Sequence, residues 1–512
     1  MNNLLYGMKS ATNFTRTENH ALTHKSTLSG LMDLFGMGAA YRTRSDSDCI
    51  VLFQKAFSED PVYALKCLFY LRDVRGGQGE RRFFRVVTRW LADNETEAMR
   101  RNLEHVPEFG RWDDLYSFVG TTLESEAMKF MAKQFALDLQ CKTPSLLAKW
   151  LKSENTSSKV SRALAAKTRV AFGLTPREYR KALSMLRQRI NVLERLMSAG
   201  KWDEIEFDKI PSRAGMIYRN AFARHDVERM KMDKTVVTYK EFMADKDTKV
   251  NTKALYPYEV VAKAYEYTGG YWGRSKSDST ERNAINKYWD NLVDYFKGAT
   301  LDALCMIDTS GSMWGSEASA PINVAISIGL YAAERARGPF ANHYISFSSR
   351  PQLIETNGID FVDKVYRIYK TNLCDNTNIE AAFDMLLNTA IRNGCAQSDL
   401  PKSIVVVSDM EFDQARGQWG WDSNRRQYGW NSDRRTLMEN IAVKWSRAGY
   451  QMPNLVFWNV QSRHDNVPME TKDGITFVSG FSPVLFEQVM KGKTGYDLMM
   501  DKLNEERYAC IK

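Results

Sequence analysis

The chain has 512 residues, of which 44% are hydrophobic and 26% charged, and its 71 Lys and Arg outnumber its 62 Asp and Glu to give a net charge of +9. This length accommodates two or more globular domains, and the apolar content excludes a disordered tail protein. The positive charge lies before Thr300, because the part from Leu301 onward is slightly acidic. We expect any affinity for polyanions in the N-terminal part, with a solvated basic face as the alternative.

The cysteines and the N-terminus indicate the compartment. Seven cysteines are scattered along the chain, and none forms a C-x-x-C pair, so neither a disulfide framework nor a zinc ribbon is predicted. The first residues lack the apolar core of a signal peptide, and no stretch approaches the roughly 18 consecutive apolar residues of a membrane helix. We therefore expect a cytoplasmic protein with no membrane partner.

Helical periodicity dominates residues 46–296. Pro61 opens a segment with apolar residues at three-and-four spacing, and Thr175-Pro176-Arg177-Glu178 is a capping box that predicts one helix from Thr175 to about Ser198. Few alternating β-branched runs interrupt this region, so an all-α array of stacked helix pairs is predicted. Because no fixed repeat period is visible, a degenerate solenoid and an irregular bundle are both open. Further helices are predicted near 80–92, 126–139, 159–172, 258–267 and 280–296.

Short apolar runs alternate with helical segments after Gly298. Strands are predicted at 301–307, 344–347, 403–407 and 455–460, with helices at 321–336, 379–391 and 436–448. This alternation predicts a mainly parallel, doubly wound α/β sheet, in which the binding crevice lies beyond the carboxyl ends of the strands. We therefore expect a multidomain protein with an N-terminal extension at 1–45, an α-helical domain at 46–298 and an α/β domain at 299–512.

Oxygen-bearing side chains follow three of the predicted strands and loops. Asp308, Ser310 and Ser312 alternate as the chain leaves the first strand, Thr377 precedes a helix, and Asp409 ends another strand. Parallel strands bring these positions to one edge of the sheet. All five are hard oxygen donors, which suit Mg²⁺ or Mn²⁺ and suit Zn²⁺ poorly. The sequence therefore predicts a divalent-cation site at this edge.

This constellation resembles the metal-ion-dependent adhesion site (MIDAS) of the von Willebrand factor A (vWA) domain, whose pattern is D-x-S-x-S, then Thr, then Asp. The resemblance implies a Rossmann-like fold in which Ser310, Ser312 and Thr377 bind Mg²⁺ directly and Asp308 and Asp409 hold it largely through water. It also implies a free coordination position for a partner carboxylate or other oxygen. Mg²⁺ suits such a site because it dehydrates reluctantly and retains waters.

Two stretches depart from that pattern. The Thr loop reads Asp375-Asn376-Thr377-Asn378 where many such domains carry Gly-Gly-Thr. Asp409 is followed by Met410 and Glu411, where a Gly is common. We expect Glu411 to crowd the free position, so that ligand binding is less firmly predicted than metal binding.

An aspartate at a strand end beside hydroxyl groups can also be a phosphoryl-accepting nucleophile. Phosphatases of the haloacid dehalogenase type typically need a second acid two residues later, where this chain has Ser310. The sequence contains no P-loop, nucleophile-elbow or zinc-protease motif, and its six histidines are isolated from cysteine or acid clusters. We therefore predict a non-catalytic protein.

Three N-terminal stretches combine arginine with glycine or aromatic residues. The loop at 71–82, L-R-D-V-R-G-G-Q-G-E-R-R, fits a phosphate cradle at a helix N-terminus. It equally fits a helix-to-helix turn that needs positive φ and pairs its arginines with Asp73 and Glu80, so both alternatives are open. The other stretches lie at 110–116 and 209–225, where basic and aromatic side chains interleave as in surfaces that pair phosphates and stack bases.

Over most of its length the chain resembles a widespread family catalogued as a domain of unknown function in plants, bacteria and phages. The resemblance rests on the motifs R-G-G-x-G-E-R, G-R-W-D-D-L and K-x-P-S, together with the metal pattern. That family is similar in organisation to the Ro (TROVE) ribonucleoproteins, which join HEAT-like helical repeats to a vWA domain and bind small noncoding RNAs on a basic face. The resemblance implies a Ro-like protein whose helical domain binds small or structured RNA. The alternative is a metal-dependent protein-interaction or assembly scaffold without RNA. The implied RNA-binding candidates are Arg75, Arg81, Arg82, Arg111, Arg213 and Arg219.

A loop after Asp409 carries three Trp, a Tyr and three Arg between 416 and 430. We expect this loop to project from the same sheet edge as the metal. Because a cluster of aromatic side chains is unfavourable when it is exposed to solvent, the loop is predicted either to pack on the helical domain or to contact a ligand beside the metal. Its candidate residues are Arg416, Trp419, Trp421, Arg425, Arg426 and Trp430.

Overall fold

The chain is rich in helix, with a helical N-terminal region and a six-stranded mixed sheet with helices in its C-terminal part. The computed structural model describes residues 3–270, 275–298, 302–347, 350–371, 376–413, 418–422, 427–431, 436–470, 476–486 and 494–512.

Two compact units are each assembled from separate parts of the chain. Unit 1 comprises Met1–Cys67, Tyr256–Ser277 and Leu292–Glu505, and unit 2 comprises Leu68–Leu255, Asp278–Asn291 and Glu506–Lys512. Residues 1–67, which the sequence divides between an N-terminal extension and the helical domain, therefore belong to the same unit as the α/β part.

Unit 2 is built from helices, and none of its described residues lies in a strand. Its helices are amphipathic: Arg82–Asn94, for example, buries Phe83, Phe84, Val87 and Leu91 along one face. The helix Pro61–Arg72 runs from unit 1 into unit 2. The other α-helices of unit 2 are Thr96–Asn102, Val106–Phe109, Glu124–Gln140, Leu147–Trp150, Lys159–Ala171, Pro176–Arg189, Leu193–Ser198, Ser212–Arg224, Asp226–Met232, Tyr239–Ala244 and Ser279–Asp290.

The predicted capping box at Thr175 is confirmed. The Glu178 amide donates to the Thr175 hydroxyl, and the Glu178 carboxylate accepts from the Thr175 amide. The prediction of a single long helix is wrong, because the helix ends at Arg189 and a second one, Leu193–Ser198, follows. Asn191 between them has a φ of +49°, which the interior of an α-helix excludes.

All strands within the described residues lie in unit 1. They are β1 Phe14–Arg16, β2 Leu22–His24, β3 Ala303–Asp308, β4 His343–Phe347, β5 Gln352–Glu355, β6 Ser403–Ser408, β7 Gln418–Asp422, β8 Gln427–Asn431, β9 Asn454–Asn459 and β10 Thr476–Ser479. The main sheet has the order β10-β9-β6-β3-β4-β5, in which only β5 is antiparallel to its neighbour. The predicted strands correspond to β3, β4, β6 and β9, whereas β5 and β10 were not predicted.

The register of the sheet aligns the carboxyl ends of its two central strands. Ile307 of β3 lies beside Val407 of β6, and Asp308 lies beside Phe347 of β4. All six residues of β3 are buried, so the strand is covered on both faces. The chain therefore leaves β3 and β6 at neighbouring points of one edge.

Helices of unit 1 come from both ends of the chain. The helix Gly30–Met37 packs on the sheet so closely that a Cβ at Gly36 would lie 2.3 Å from Phe477 in β10. The described part of the chain contains no helix with the length and apolar character needed to cross a membrane. The remaining α-helices that lie within unit 1 are Asn3–Ser10, Asp46–Glu59, Pro257–Tyr267, Pro321–Arg335, Phe361–Thr371, Ile379–Asn393, Leu437–Arg447 and Gly495–Leu503.

An N-terminal hairpin of β1 and β2 belongs to this unit as well. Its strands pair antiparallel, and a tight turn joins them. β2 is fixed by two backbone hydrogen bonds between His24 and Val467, of 3.2 and 2.9 Å. His20 in the turn has a φ of +68° and forms an antiparallel bridge with Asp413.

Candidate metal centre

The carboxyl end of β3 places the first of the predicted ligands. Asp308 is the last residue of the strand and is fully buried, and the chain then turns through Ser310 and Ser312. The Ser310 amide donates to Oδ1 of Asp308 (2.9 Å), and the hydroxyl oxygens of Ser310 and Ser312 lie 3.2 Å apart. The structure thus brings one carboxylate and two hydroxyls together where the chain leaves the sheet.

The end of β6 completes this group with a second carboxylate. Ser408 donates from its hydroxyl to Oδ2 of Asp308 (2.5 Å), which ties the two strand ends together. Asp409 follows and is also buried. Its carboxylate accepts hydrogen bonds from the Ser312 hydroxyl and from Nη2 of Arg463 (2.9 Å).

Burial governs the acidity of both carboxyl groups. It raises the pKa of Asp308 to about 7; the charge of Asp409 adds to this rise, and the hydrogen bonds that Asp308 accepts oppose it. Burial also raises the pKa of Asp409, although Arg463 lowers it. Each ionised carboxylate therefore disfavours the ionised form of the other. A divalent cation removes this penalty, because it binds the ionised forms.

The backbone after β6 has an unusual conformation. Met410 has a φ of +66°, in the left-handed region that favours glycine, and its side chain is buried. Its amide donates to the hydroxyl of Ser408 (2.9 Å). The residue that follows Asp409, where the sequence has Met in place of a common Gly, thus adopts a glycine-like conformation.

Thr377 lies on the loop that precedes the helix Ile379–Asn393, and it is buried. Its carbonyl accepts from the amide of Asp413 (2.9 Å), so this loop is joined to the chain that follows Asp409. Nδ2 of Asn19 lies 3.5 Å from the Thr377 hydroxyl oxygen.

Glu411, which the sequence places close to the free coordination position, is fully buried. Its Oε1 accepts from Asn466 (3.0 Å) and lies 3.0 Å from Nδ1 of His464, and its Oε2 accepts from the amide of Glu18 (2.6 Å). Both oxygens thus have partners outside the five predicted ligands. Glu18, Glu411 and His464 also each offer a ligand atom within 4.8 Å of the others.

The five predicted ligands form a set that we call the metal edge: Asp308, Ser310, Ser312, Thr377 and Asp409. All their side-chain ligand atoms are oxygens, and four of the five residues are buried to 2% exposure or less. Hard oxygens of this kind fit Mg²⁺ or Mn²⁺. The buried pair of carboxylates supplies the negative charge that would hold the ion.

The sequence analysis missed three residues beside the metal edge. Ser408 directly precedes Asp409, so its position at a strand end was a usable signal. Arg463 and Asn19 gave none, because their contacts with Asp409 and Thr377 span long stretches of chain.

The glycine-rich loop at 71–82 lies in unit 2. A Cβ at Gly77 would lie 2.0 Å from the carbonyl oxygen of Tyr70, and Gly79 has a φ of +65°. The Gly79 amide donates back to the Asp73 carbonyl (3.1 Å), and the Glu80 carboxylate accepts from the first amides of the next helix. These contacts favour the helix-to-helix turn over the phosphate cradle, because the loop amides bond within the unit.

The arginines of unit 2 occupy different environments. Arg111 is half-buried, and its guanidinium lies 4.5 Å from the ring centre of Trp150. Burial lowers the pKa of Arg111, and the neighbouring charges of Arg72, Arg213 and Arg81 lower it further. Two of the other RNA-binding candidates, Arg81 and Arg213, thus act electrostatically on Arg111.

The other RNA-binding candidates have environments of their own. Arg75 is exposed, and its Nη1 donates to the carbonyl of Glu108 (2.5 Å). Arg82 is half-buried in the first turn of its helix. Arg219 is 5% exposed and is paired with the buried Glu281 (2.6 Å). This buried ion pair is typical of a structural arginine, and it leaves little of the Arg219 side chain accessible to RNA.

The tryptophan-arginine loop is described in part. β7 and β8 form an antiparallel hairpin in which Trp419 pairs with Trp430 and Trp421 with Tyr428. Arg416, Arg425 and Arg426 lie outside the described residues. The predicted packing of this loop on the helical domain or on a ligand stays a prediction.

Comparison with known proteins shows that both parts of the chain are similar to families of unknown function. Residues 17–163 and 136–300 match the family described as Domain of unknown function (DUF2828), and residues 302–509 match that described as Domain of unknown function (DUF7788). The chain is also 29% identical over 520 residues to "Uncharacterized protein L728" of Acanthamoeba polyphaga mimivirus, with 94% of this chain and 85% of that protein covered. These matches confirm the predicted resemblance to a family of unknown function.

Proposed function

This chain belongs to the family described as Domain of unknown function (DUF2828), and we propose that it is a non-catalytic binding protein whose unit 1 holds a divalent cation, Mg²⁺ or Mn²⁺, at the metal edge. We propose further that the α/β part is a vWA-like domain, that unit 2 is a HEAT-like array, and that the two together make a Ro-like RNA-binding protein.

One observation carries the metal proposal. Asp308 and Asp409 are both buried at neighbouring strand ends, and the hydroxyls of Ser310 and Ser312 lie beside them. Buried like charges are costly unless a counter-charge neutralises them. The oxygen chemistry, the burial and the chain order of the set all support a cation at this point. When bound, the ion supplies an electrophilic centre that attracts an external oxygen ligand.

The side chains have distinct roles in this proposal. The hydroxyls of Ser310, Ser312 and Thr377 are neutral donors, so they bind the ion without cancelling its charge. Asp308 and Asp409 supply the negative charge, and the hydrogen bond that Asp308 accepts from Ser408 fixes the orientation of its carboxylate.

A thermal unfolding experiment tests the metal proposal. Mg²⁺ at about 100 times its dissociation constant stabilises a protein by about 3 kcal/mol, and we expect a rise of several degrees in the Tm of the wild type. The Asp308→Ala, Ser310→Ala double variant should show no such rise. Equal rises in both proteins would place the ion elsewhere, and no rise in the wild type would contradict the proposal.

RNA binding by unit 2 is a second candidate function, and the environment of Arg111 favours it. The charges of Arg72, Arg81 and Arg213 lower the pKa of Arg111, so positive charge is concentrated around Arg111, and an RNA phosphate would relieve this repulsion. Arg111 already stacks on Trp150, as arginine and aromatic side chains do around single-stranded bases. The net basic charge of the N-terminal part and the resemblance to Ro proteins support the same reading.

Salt-dependent RNA binding tests this second function. Binding of a stem-loop RNA with a single-stranded end should weaken steeply with salt, and Arg81→Glu or Arg111→Glu should weaken it by about tenfold and flatten the salt dependence. Arg101→Glu makes the same charge change at an exposed site of unit 2 and should have a smaller effect. Undetectable RNA binding at low salt would favour the alternative, a metal-dependent protein-interaction or assembly scaffold without RNA.

A further inference from the structure

The turn between β1 and β2, Thr17–His20, lies against the chain that follows Asp409; we call it the N-terminal turn. Its threonine hydroxyl donates to the carbonyl of Phe412 (2.6 Å), its glutamate amide donates to Oε2 of Glu411 (2.6 Å), and its asparagine side chain donates to the carbonyl of Glu411 (2.7 Å). Three consecutive residues of the turn therefore form hydrogen bonds to Glu411 and Phe412, in the segment that directly follows Asp409 of the metal edge.

Two side chains of the N-terminal turn approach the metal edge, Glu18 through Arg463 and Asn19 directly. Nη1 of Arg463 lies 2.8 Å from Oε2 of Glu18, while Nη2 of the same guanidinium lies 2.9 Å from Oδ2 of Asp409. Asn19 approaches the Thr377 hydroxyl to 3.5 Å. The carboxylate of Glu18 is thus separated from a proposed metal-edge carboxylate by a single guanidinium group.

The surrounding structure holds this turn in place. Its last residue, His20, has a φ of +68°, which a residue other than glycine adopts at some cost. The bridge to Asp413 and the pairing of β2 with Val467 maintain that conformation. The side chain of Glu18, in contrast, is 50% exposed, so it can change rotamer without disturbing the core.

We propose, on the premise of the metal site proposed above, that the N-terminal turn is an intramolecular ligand of that site, and that the carboxylate of Glu18 takes the coordination position otherwise open to a partner's oxygen. A carboxylate is the ligand that Mg²⁺ and Mn²⁺ prefer from protein side chains, and Glu18 lies on the edge where the ion binds. A partner that engages the ion must then carry a carboxylate or similar oxygen and displace Glu18.

A simpler role for Glu18 is to hold Arg463 in position. The two roles predict opposite effects when Arg463 loses its charge. If Glu18 binds the ion, Arg463→Gln removes a positive charge beside the cation and should tighten metal binding. If Glu18 acts only through Arg463, Glu18→Gln and Arg463→Gln should both weaken it.

Mn²⁺ titration of the full-length protein, with free ion measured by electron paramagnetic resonance, tests the proposal. We expect Glu18→Gln to weaken Mn²⁺ binding by about tenfold or more, Arg463→Gln to tighten it, and the matched control Glu355→Gln, at an exposed position of β5, to leave it unchanged. Water proton relaxation should show more water on the ion in Glu18→Gln than in the wild type.

Each failure has a different meaning in this experiment. The metal site is supported if the wild type binds Mn²⁺ and the Asp308→Ala, Ser310→Ala variant does not. If Glu18→Gln then behaves like Glu355→Gln, the proposal that Glu18 is an intramolecular ligand is refuted. Equal weakening in Glu18→Gln and Arg463→Gln also refutes it, and assigns Glu18 to the positioning of Arg463. A wild type that binds no Mn²⁺ overturns both proposals.

Discussion

Units 1 and 2 both bury charged side chains, but they neutralise them differently. In unit 2 the buried Asp114 accepts from Nε of Arg72 (2.9 Å) and from Nε of Arg85 (2.7 Å), so an acid lies between two bases. In unit 1 the buried Asp308 and Asp409 lie beside each other, and within the described residues no Lys or Arg forms an ion pair with Asp308.

This difference separates a structural network from a candidate site. Buried acids that are matched by bases are complete without a ligand. Asp308 and Asp409 are two buried acids beside hydroxyl groups, and within the described part of the chain only Asp409 is paired with a guanidinium group, that of Arg463. The pair therefore carries an excess of negative charge, which a divalent cation would neutralise. The arrangement of the charges therefore distinguishes the two regions, because both contain buried carboxylates.

The largest expected effect comes from breaking the network of unit 2. Asp114→Ala leaves Arg72, which is 1% exposed, without its buried partner, and we expect the free energy of unfolding to fall by about 3–5 kcal/mol. Denaturant unfolding with and without Mg²⁺ measures this loss, which should be the same in both conditions.

Glu97→Ala is the matched control for this loss, because Glu97 forms an exposed ion pair with Arg100 in the same unit. It should change stability little. A loss in Asp114→Ala that Mg²⁺ restores would contradict the comparison, since it would make Asp114 part of a cation site.

A smaller effect should follow from pH at the metal edge. The pKa of Asp308 is about 7 in the folded, metal-free protein, well above its ordinary value of 3.8. Between these two values the folded state binds more protons than the unfolded state, so this group makes the metal-free protein less stable as pH rises. Mg²⁺ must displace that proton, so its apparent affinity should be about tenfold higher near pH 8 than near pH 6.

Calorimetric titration with Mg²⁺ at the two pH values measures this shift. Asp308→Asn cannot ionise and should show weak binding with little pH dependence. An affinity in the wild type that does not change between pH 6 and pH 8 would contradict the account of Asp308.

Local patterns made much of the fold predictable. The capping box at Thr175 and the apolar runs of β3, β4, β6 and β9 are encoded within a few neighbouring residues, and the structure contains them. β10 was missed because its four buried residues are too few to set a pattern, and β5 because its residues do not alternate in burial. The break at Asn191 was missed because no Gly or Pro marks it.

The candidate site was predictable only where its residues follow strands. Asp308 and Asp409 end or follow buried strands, so topology alone brings them to one edge. Glu18 and Arg463 reach the same edge through tertiary contacts that cross most of the chain, and no spacing in the sequence encodes them. The N-terminal hairpin therefore could not be assigned to unit 1 from the sequence.

The position of a bound ion tests the central claim most directly. Crystals of the full-length protein grown with Mn²⁺ should show an anomalous scattering peak within about 2.3 Å of the hydroxyl oxygens of Ser310 and Ser312, beside Asp308 and Asp409. A peak between Glu18, Glu411 and His464 instead, with none at the metal edge, would contradict the account, as would the absence of any ion at saturating Mn²⁺.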